Sequence, residues 1–346
     1  MIYGINDGKM AYYTGLGFTG TVDDMERQYL DALTGFSYPG ASLQDLWLAL
    51  GSLLGIDPGS VNGVIKRILE YTMVDKLPTY NDAWVAFVNF ELNYTPRTLL
   101  DGATNGGAWY DISAVGTLYQ DSDGTIPVTA VGDPVGFVTD RSSNGNHLIQ
   151  TTNSKRPVLR QDTSGYYYLE FDGATQCLVT ANTIDMTGAS GNTFCSGFKR
   201  DSTTTADTFI EHGIGGADVY ASTITSFAAS PKWYSTIRGP TGAPSSDITI
   251  SANKSVVTVL GDRTQATSAA QIVQRLNGAS VSNTVTGTAV PTNSKFGNYK
   301  LYVGARNQTT NPFVGRLYQL VWVSDIVTGG DLTDLEGWVN SKTGAY

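Results

Sequence analysis

The stretch that decides the fold is NYKLYVGARNQTTNPFVGRLYQLVWVS (298–324), followed by GGDLTDLEGWVNSKTG (329–344). It reads as a strand over Tyr299–Ala305, a turn rich in Asn and Thr, a long strand over Phe313–Ser324 and one short helix over Asp331–Gly344. In the long strand Val314, Leu317, Leu320 and Trp322 are apolar, but the alternation is imperfect. Its end, LYQLVWV, is apolar at successive positions, as a central strand buried on both faces would be. The helix is expected to start near Asp331, with Asp334 three residues on, and to carry Leu332, Leu335 and Trp338 on one face.

Upstream of this stretch the chain keeps the same texture as far back as Trp109. Short apolar runs are expected as strands at His147–Gln150, Pro157–Arg160, Tyr166–Phe171, Gln176–Thr180, Thr193–Lys199, Thr208–His212, Lys232–Arg238, Ser255–Asp262 and Gln271–Asn277. Asp172-Gly173 and Asn277-Gly278 are tight-turn pairs, because glycine accepts positive φ and Asp or Asn can bond its own backbone. Many short strands with polar loops and no alternating helices imply an antiparallel sandwich rather than a βαβ fold. The 39 glycines and 19 tyrosines, with only 15% charged residues, agree with that class.

The N-terminal part reads differently. Thr21 precedes VDDMERQYLDALTG, where Met25, Tyr29, Leu30 and Leu33 recur at helical spacing and Gly35 ends the run. Asp23, Asp24 and Glu26 sit in its first turn, where the helix dipole favours negative charge. A second helix is expected from Ser42 to Gly55, and a third from about Asp57 to Val74 with Val64, Ile65, Ile68 and Leu69 on one face. The organisation expected is a small helical unit at 1–75, a transition at 76–108 that reads equally as a strand or a short helix with a linker, and a sandwich at 109–346.

Charge excludes several partner classes. The net charge is −9 over 346 residues, and no basic stripe is present to neutralise phosphates, so no nucleic-acid partner is expected. Docking to an anionic membrane or insertion into one is likewise not expected. The opening MIYGINDGKMAYYTG has neither a basic head nor an apolar run, so synthesis in the cytoplasm is expected. Cys177 and Cys195 fall in neighbouring expected strands, where a cross-strand bridge is geometrically open, yet both are read as reduced, packed side chains.

Several segments carry a family resemblance. AWYDISAVGTLYQDSDGTIPVTAVGDPVGFVTDRSSNGNHLIQTTNSKRPVLRQD (108–162), YYYLEFDGATQCLVT (166–180), VQRLNGAS (273–280) and the closing stretch together resemble the concanavalin A-like (laminin G-like) modules of bacteriophage virion proteins. GLGFTGTVDDMERQYLDALTG (15–35) and ASLQDLWLALGSLLG (41–55) resemble the helical modules that open many phage structural proteins. The fold class implied is mainly β, a C-terminal antiparallel jelly-roll sandwich preceded by a small α-helical domain. The role implied is a decoration, head-fibre or tail-associated virion protein, anchored by its helices and presenting a lectin-like sandwich for adhesion. Its partners would be capsid or tail subunits and a host-surface glycan, and it would be a homo-oligomer located in the virion. The alternatives are a polysaccharide-degrading enzyme on the same fold and a purely structural subunit without ligand.

The candidate ligand residues follow from chemistry. A glycan site pairs an aromatic ring with amides and charged groups, because sugar rings offer an apolar face and a rim of hydroxyls. Trp233, Tyr234 and the loop from Arg306 and Asn307 to Asn311 supply such groups, although Trp233 also fits a core position. Asp140, Asn144 and Asn146, in DRSSNGNH, form a loop able either to bond its own backbone or to hold a ligand. No cofactor is expected, with calcium the one candidate metal through Asp140, Asn144 or Asp162. No catalysis is expected either. The carboxylate pattern of glycoside hydrolases is missing, Glu170 and Asp172 run into a turn, and Glu211 and His212 are adjacent strand residues that point to opposite faces.

Overall fold

The computed structural model describes residues 95–100, 106–142, 144–202, 204–214, 223–228 and 230–346, and seven isolated positions before them: Lys9, Thr21, Val22, Glu26, Gln28, Trp47 and Ile65. Contacts divide the chain into two compact units, Met1–Thr95 and Pro96–Tyr346. The three helices expected over residues 1–75, and most of the transition expected at 76–108, lie outside the described residues. In the first unit, buried Glu26 accepts hydrogen bonds from Lys9 Nζ at 2.8 Å and Trp47 Nε1 at 2.7 Å.

The second unit is mainly β. Its strands begin with β1 (Gly107–Asp111), β2 (Leu118–Tyr119), β3 (Phe137–Val138), β4 (Leu148–Ile149), β5 (Val158–Gln161) and β6 (Tyr167–Asp172). The middle contributes β7 (Leu178–Thr180), β8 (Ile184–Asp185), β9 (Gly191–Arg200), β10 (Asp207–Gly213), β11 (Thr223–Phe227), β12 (Lys232–Ile237) and β13 (Ser245–Thr249). The last are β14 (Ser255–Asp262), β15 (Ile272–Leu276), β16 (Ala279–Ser280), β17 (Thr284–Thr286), β18 (Asn298–Val303) and β19 (Val314–Val323), with helices α1 (Ser268–Gln271) and α2 (Gly329–Thr343).

They form two antiparallel sheets. One runs β16-β15-β14-β9-β19-β6-β5 with β1 added on β19; the other runs β17-β13-β12-β11-β10-β18-β7-β4-β3-β2 with β8 on β18. Strands distant in sequence are neighbours in both sheets, which is the jelly-roll form of the sandwich. All eleven runs expected as strands are strands, with ends shifted by a residue or two. The helix begins at Gly329 rather than Asp331: its N-cap is Thr328, which makes no side-chain cap bond, so Asp331 and Asp334 form no capping box.

The core between the sheets is aromatic. Phe198 stacks on Trp233 with ring centroids 4.7 Å apart, and Phe209, Phe227 and Phe313 close around them. A bulge in β10 between Thr208 and Ile210 turns both Phe209 and Ile210 toward this core.

The double-sided burial expected for β19 has a physical cause in α2. Leu320 and Trp322 face the sandwich core, while Val321 and Val323 face the other way, in register with Cys195 and Thr193 of β9. Helix α2 packs on that outer surface through Leu332, Leu335, Val339 and Thr343, and Trp338 meets Trp109 edge to face at 5.3 Å. Cys195 lies in this layer and Cys177 immediately before β7 of the opposite sheet; both are buried and free, so they are not cross-strand neighbours.

Candidate functional site

The sheet that carries β10 to β13 has a polar outer surface. In β12, Trp233, Ser235 and Ile237 point into the core, while Lys232, Tyr234 and Thr236 are half-buried on the other side. Register places Thr208 of β10, Ser226 of β11, Tyr234 of β12 and Asp247 of β13 side by side on that surface. A second row runs through Glu211, Thr236 and Ser245. Lys232 Nζ donates to Asp247 Oδ1 at 2.6 Å at the edge of the first row.

A cavity of about 180 Å³ opens on this surface, lined by Ala206, Asp207, Thr208, Ser226, Phe227, Thr236, Arg238, Arg306 and Asn311. Its rim loop, Arg306–Asn311, joins β18 to β19. Asn307, Gln308 and Asn311 all take left-handed backbone angles, with φ of 53°, 58° and 50°. Non-glycine residues held this way concentrate where surrounding structure imposes a shape on a functional loop. The imposed shape comes from Arg306 N donating to Thr310 O, Thr208 N to Asn311 O and Lys155 Nζ to Gln308 O.

Two carboxylates of β10 stand beside the cavity, on opposite faces of the sheet. Glu211 is fully buried and accepts from Arg306 Nε at 3.1 Å. Asp207 faces the core side and accepts from Arg200 at 3.2 Å. Arg200 is itself held by the carbonyls of Thr205, Ala228 and Ser230 and lies over the Phe227 ring. Burial lifts the Asp207 carboxyl to about 7, with the Arg200 charge only partly opposing it.

The other sequence-named residues go elsewhere. Asp140 is buried and accepts from the backbone N–H groups of Trp109, Ser142 and Asn146 and from Ser142 Oγ, all within 2.9 Å. Asn146 and Asn144 both donate to Gly107 O, at 2.7 and 3.3 Å. The DRSSNGNH loop therefore bonds itself and anchors β1. Trp233 is fully buried, with its indole N–H on Ser235 Oγ at 2.9 Å, so it is a core residue without surface to offer a sugar. Tyr234 is the strand partner of Ser226, which lines the cavity, and is not itself among the lining residues. Arg306 lines the cavity, and Asn307 lies in its rim loop.

Further carboxylates serve structure. Asp172 accepts from the N–H groups of Ala174, Thr175 and Gln176, as its turn reading implies, whereas Glu170 sits in an ion pair with Arg160 at 2.8 Å. Asp162 accepts from Ser164 N, Tyr166 N and Lys254 Nζ. Among the described residues no three His, Cys, Asp or Glu side chains gather as metal ligands would. Sequence reasoning missed Thr208, Ser226, Thr236 and Arg238. Period-two alternation along KWYSTIR (232–238) could have paired Tyr234, Thr236 and Arg238 on one face.

No protein-family model matches the chain, and no curated protein matches it by sequence. Solved structures do match. An arabinofuranosidase complexed with arabinofuranosyl-alpha-1,2-xylobiose is 13% identical with a TM-score of 0.47, covering 72% of this chain and 65% of its own. The Ruminococcus gnavus IT-sialidase CBM40 bound to alpha2,3 sialyllactose is 13% identical with a TM-score of 0.36, covering 49% and 95%. A Trypanosoma rangeli sialidase is 10% identical with a TM-score of 0.42, covering 70% and 33%. The chain thus spans less than two-thirds of the arabinofuranosidase and one-third of the sialidase.

These matches correct one expectation. The expectation of no catalysis, drawn from the missing carboxylate pattern, is not upheld, because the matching solved structures include glycosidases. Nothing in the three matches bears on a phage origin. The antiparallel jelly-roll architecture is read from the chain's own two sheets.

Proposed function

We propose that the unit Pro96–Tyr346 is a glycan-binding sandwich that takes its ligand in the cavity on the outer face of β10–β12. The observation that carries this reading is the cavity lining itself. Three hydroxyl residues (Thr208, Ser226, Thr236), one amide residue (Asn311) and two guanidinium residues (Arg238, Arg306) line the cavity, and Tyr234 is the strand partner of the lining Ser226. Sugars need such a set, because each ring hydroxyl both donates and accepts while the ring carbons favour an aromatic neighbour. A glycan array probed with the full chain tests it. Saturable binding that disappears in a Ser226→Trp variant of unchanged circular dichroism is the expected result. Binding that survives the filled cavity removes the assignment.

A second reading is favoured by Asp207. Asp207 is a lining residue whose carboxyl, lifted to about 7 by burial, is about half protonated at neutral pH, and the protonated form is the one a general acid for glycosidic cleavage uses. Cleavage would require it to turn from Arg200 on the core side toward the cavity. Glu211 lies on the opposite face of the sheet, so the two do not form the facing pair of a retaining enzyme. Release of reducing sugar from a polysaccharide panel, abolished by Asp207→Asn, would favour cleavage over binding alone.

The virion setting is carried by the sequence resemblance alone. It includes capsid or tail partners, a homo-oligomeric state and any bound calcium. A particle proteome that lacks this chain would remove it.

A further inference from the structure

Resting on the reading of the cavity as a glycan site, we infer that it takes one sugar ring at a chain end, held through neighbouring ring hydroxyls by Thr208 and Ser226. Thr208 is 2% exposed and lines the cavity, yet its hydroxyl makes no hydrogen bond to any of the described residues. The hydroxyl of half-buried Ser226, also in the lining, makes none either. Buried hydroxyls are normally partnered, so a pair left open toward a cavity is placed to meet a ligand. The two residues face each other in register across β10 and β11, with Cβ atoms about 4.5–5.5 Å apart on one face of the sheet. Each hydroxyl can donate once and accept twice, so the pair can engage two adjacent ring hydroxyls together.

Size and enclosure limit the ligand to a chain end. At about 180 Å³ the cavity falls below the roughly 300–1,000 Å³ of sites for drug-sized ligands, so one ring is enclosed and further sugars lie over open surface. The rim loop closes one side. Thr208 N donates to Asn311 O at 2.8 Å, which ties the loop to β10, and Arg306 and Thr310 exchange backbone hydrogen bonds at 2.9 Å within it. That seam leaves no passage between loop and strand for a glycan to thread. A ring in mid-chain needs two exits and has given a second hydroxyl to linkage, whereas a terminal ring needs one exit and keeps that hydroxyl for the Thr208–Ser226 pair.

The test is calorimetric titration of the full chain with the methyl glycosides of glucose, galactose, mannose and arabinose, and with a linear tetrasaccharide ending in each. At least one methyl glycoside is expected to bind within about threefold of its tetrasaccharide, because the added sugars lie outside the enclosed volume. Thr208→Val and Ser226→Ala each remove a hydroxyl that supports no bond in the fold. Each is expected to leave the melting temperature unchanged and to weaken binding about fivefold or more. A tetrasaccharide that binds about tenfold or more tightly than its methyl glycoside, or binding that both variants keep, overturns the chain-end assignment while the glycan reading stands. Failure of every methyl glycoside to bind also overturns it, and a blank glycan array besides would overturn the glycan reading with it.

Discussion

Replacing Gly197 by alanine should loosen α2 from the sandwich, and the structure gives the size of the effect. A Cβ at position 197 would overlap Thr343 Oγ1, with Thr343 Cβ 2.9 Å and Cγ2 3.1 Å away. Thr343 cannot simply rotate, because its hydroxyl donates to Val339 O at 2.7 Å in the last helical turn. Either the helix retreats or that bond is lost. Overpacking of this kind costs about 1–3 kcal/mol and the hydrogen bond about 1 kcal/mol. A total of about 2–4 kcal/mol would lower the melting temperature by roughly 4–16 °C in a unit of this size. Thermal melts followed by tryptophan fluorescence suit the measurement, since Trp109 and Trp338 touch across the same interface. Thr343→Ala in the same chain should restore most of the loss, because it removes the atoms in the way. A neutral Gly197→Ala, or a double variant no better than the sum of the singles, would refute the packing argument.

Trp233→Ala should cost about 3–5 kcal/mol in urea denaturation while Trp233→Phe leaves glycan binding intact; lost binding in a stable Phe variant would return Trp233 to the site. Asp207 titrates from 3.8 when unfolded to about 7 when folded, so the folded chain holds this proton more tightly. Its contribution to stability is therefore greatest in acid and falls as pH rises from about 4 to about 7. Burial lowers His212 to about 4, which acts in the opposite sense, with stability lost as pH falls from 6.5 toward 4. The comparison must then be wild type against Asp207→Asn at pH 5 and pH 8, and an unchanged difference between the two pH values in the variant would contradict the Asp207 assignment. Burial raises the Cys177 and Cys195 thiols to about 11 and about 12, so neither should react with a thiol reagent until the chain unfolds, when two should appear. A count of zero after unfolding would mean a disulfide.

The parts of the fold that could be read in the sequence are those where apolar patterning dominates. LYQLVWV announces a strand covered on both sides, and α2 and the sandwich core provide the two covers. Strands β11 (TITSF) and β13 (SSDIT) were not legible because each has a small polar residue at an inward position beside its one large apolar one, Phe227 or Ile248. Thr225 and Ser246 are fully buried, and Ser246 accepts hydrogen bonds from Gln274 at its carbonyl and from Asn283 at its hydroxyl. Such burial depends on partners elsewhere in the chain, which no local pattern reveals. The same limit explains the site. Loop Arg306–Asn311 stood out by its composition, but the cavity joins it to β10, β11 and β12, which lie 68 to more than 100 residues away in sequence, and only strand register makes them neighbours. For the DRSSNGNH loop the sequence left self-bonding and ligand binding both open; in the structure Asp140 accepts from the backbone of Trp109, Ser142 and Asn146.

The measurement that bears most directly on the central claim is an experimental structure of the full chain with the tightest-binding glycan from an array. The account predicts the sugar on the outer face of β10–β12, against Thr208, Ser226, Thr236 and the Arg306–Asn311 loop. Density for the sugar at any other surface, with this cavity unchanged, would contradict it.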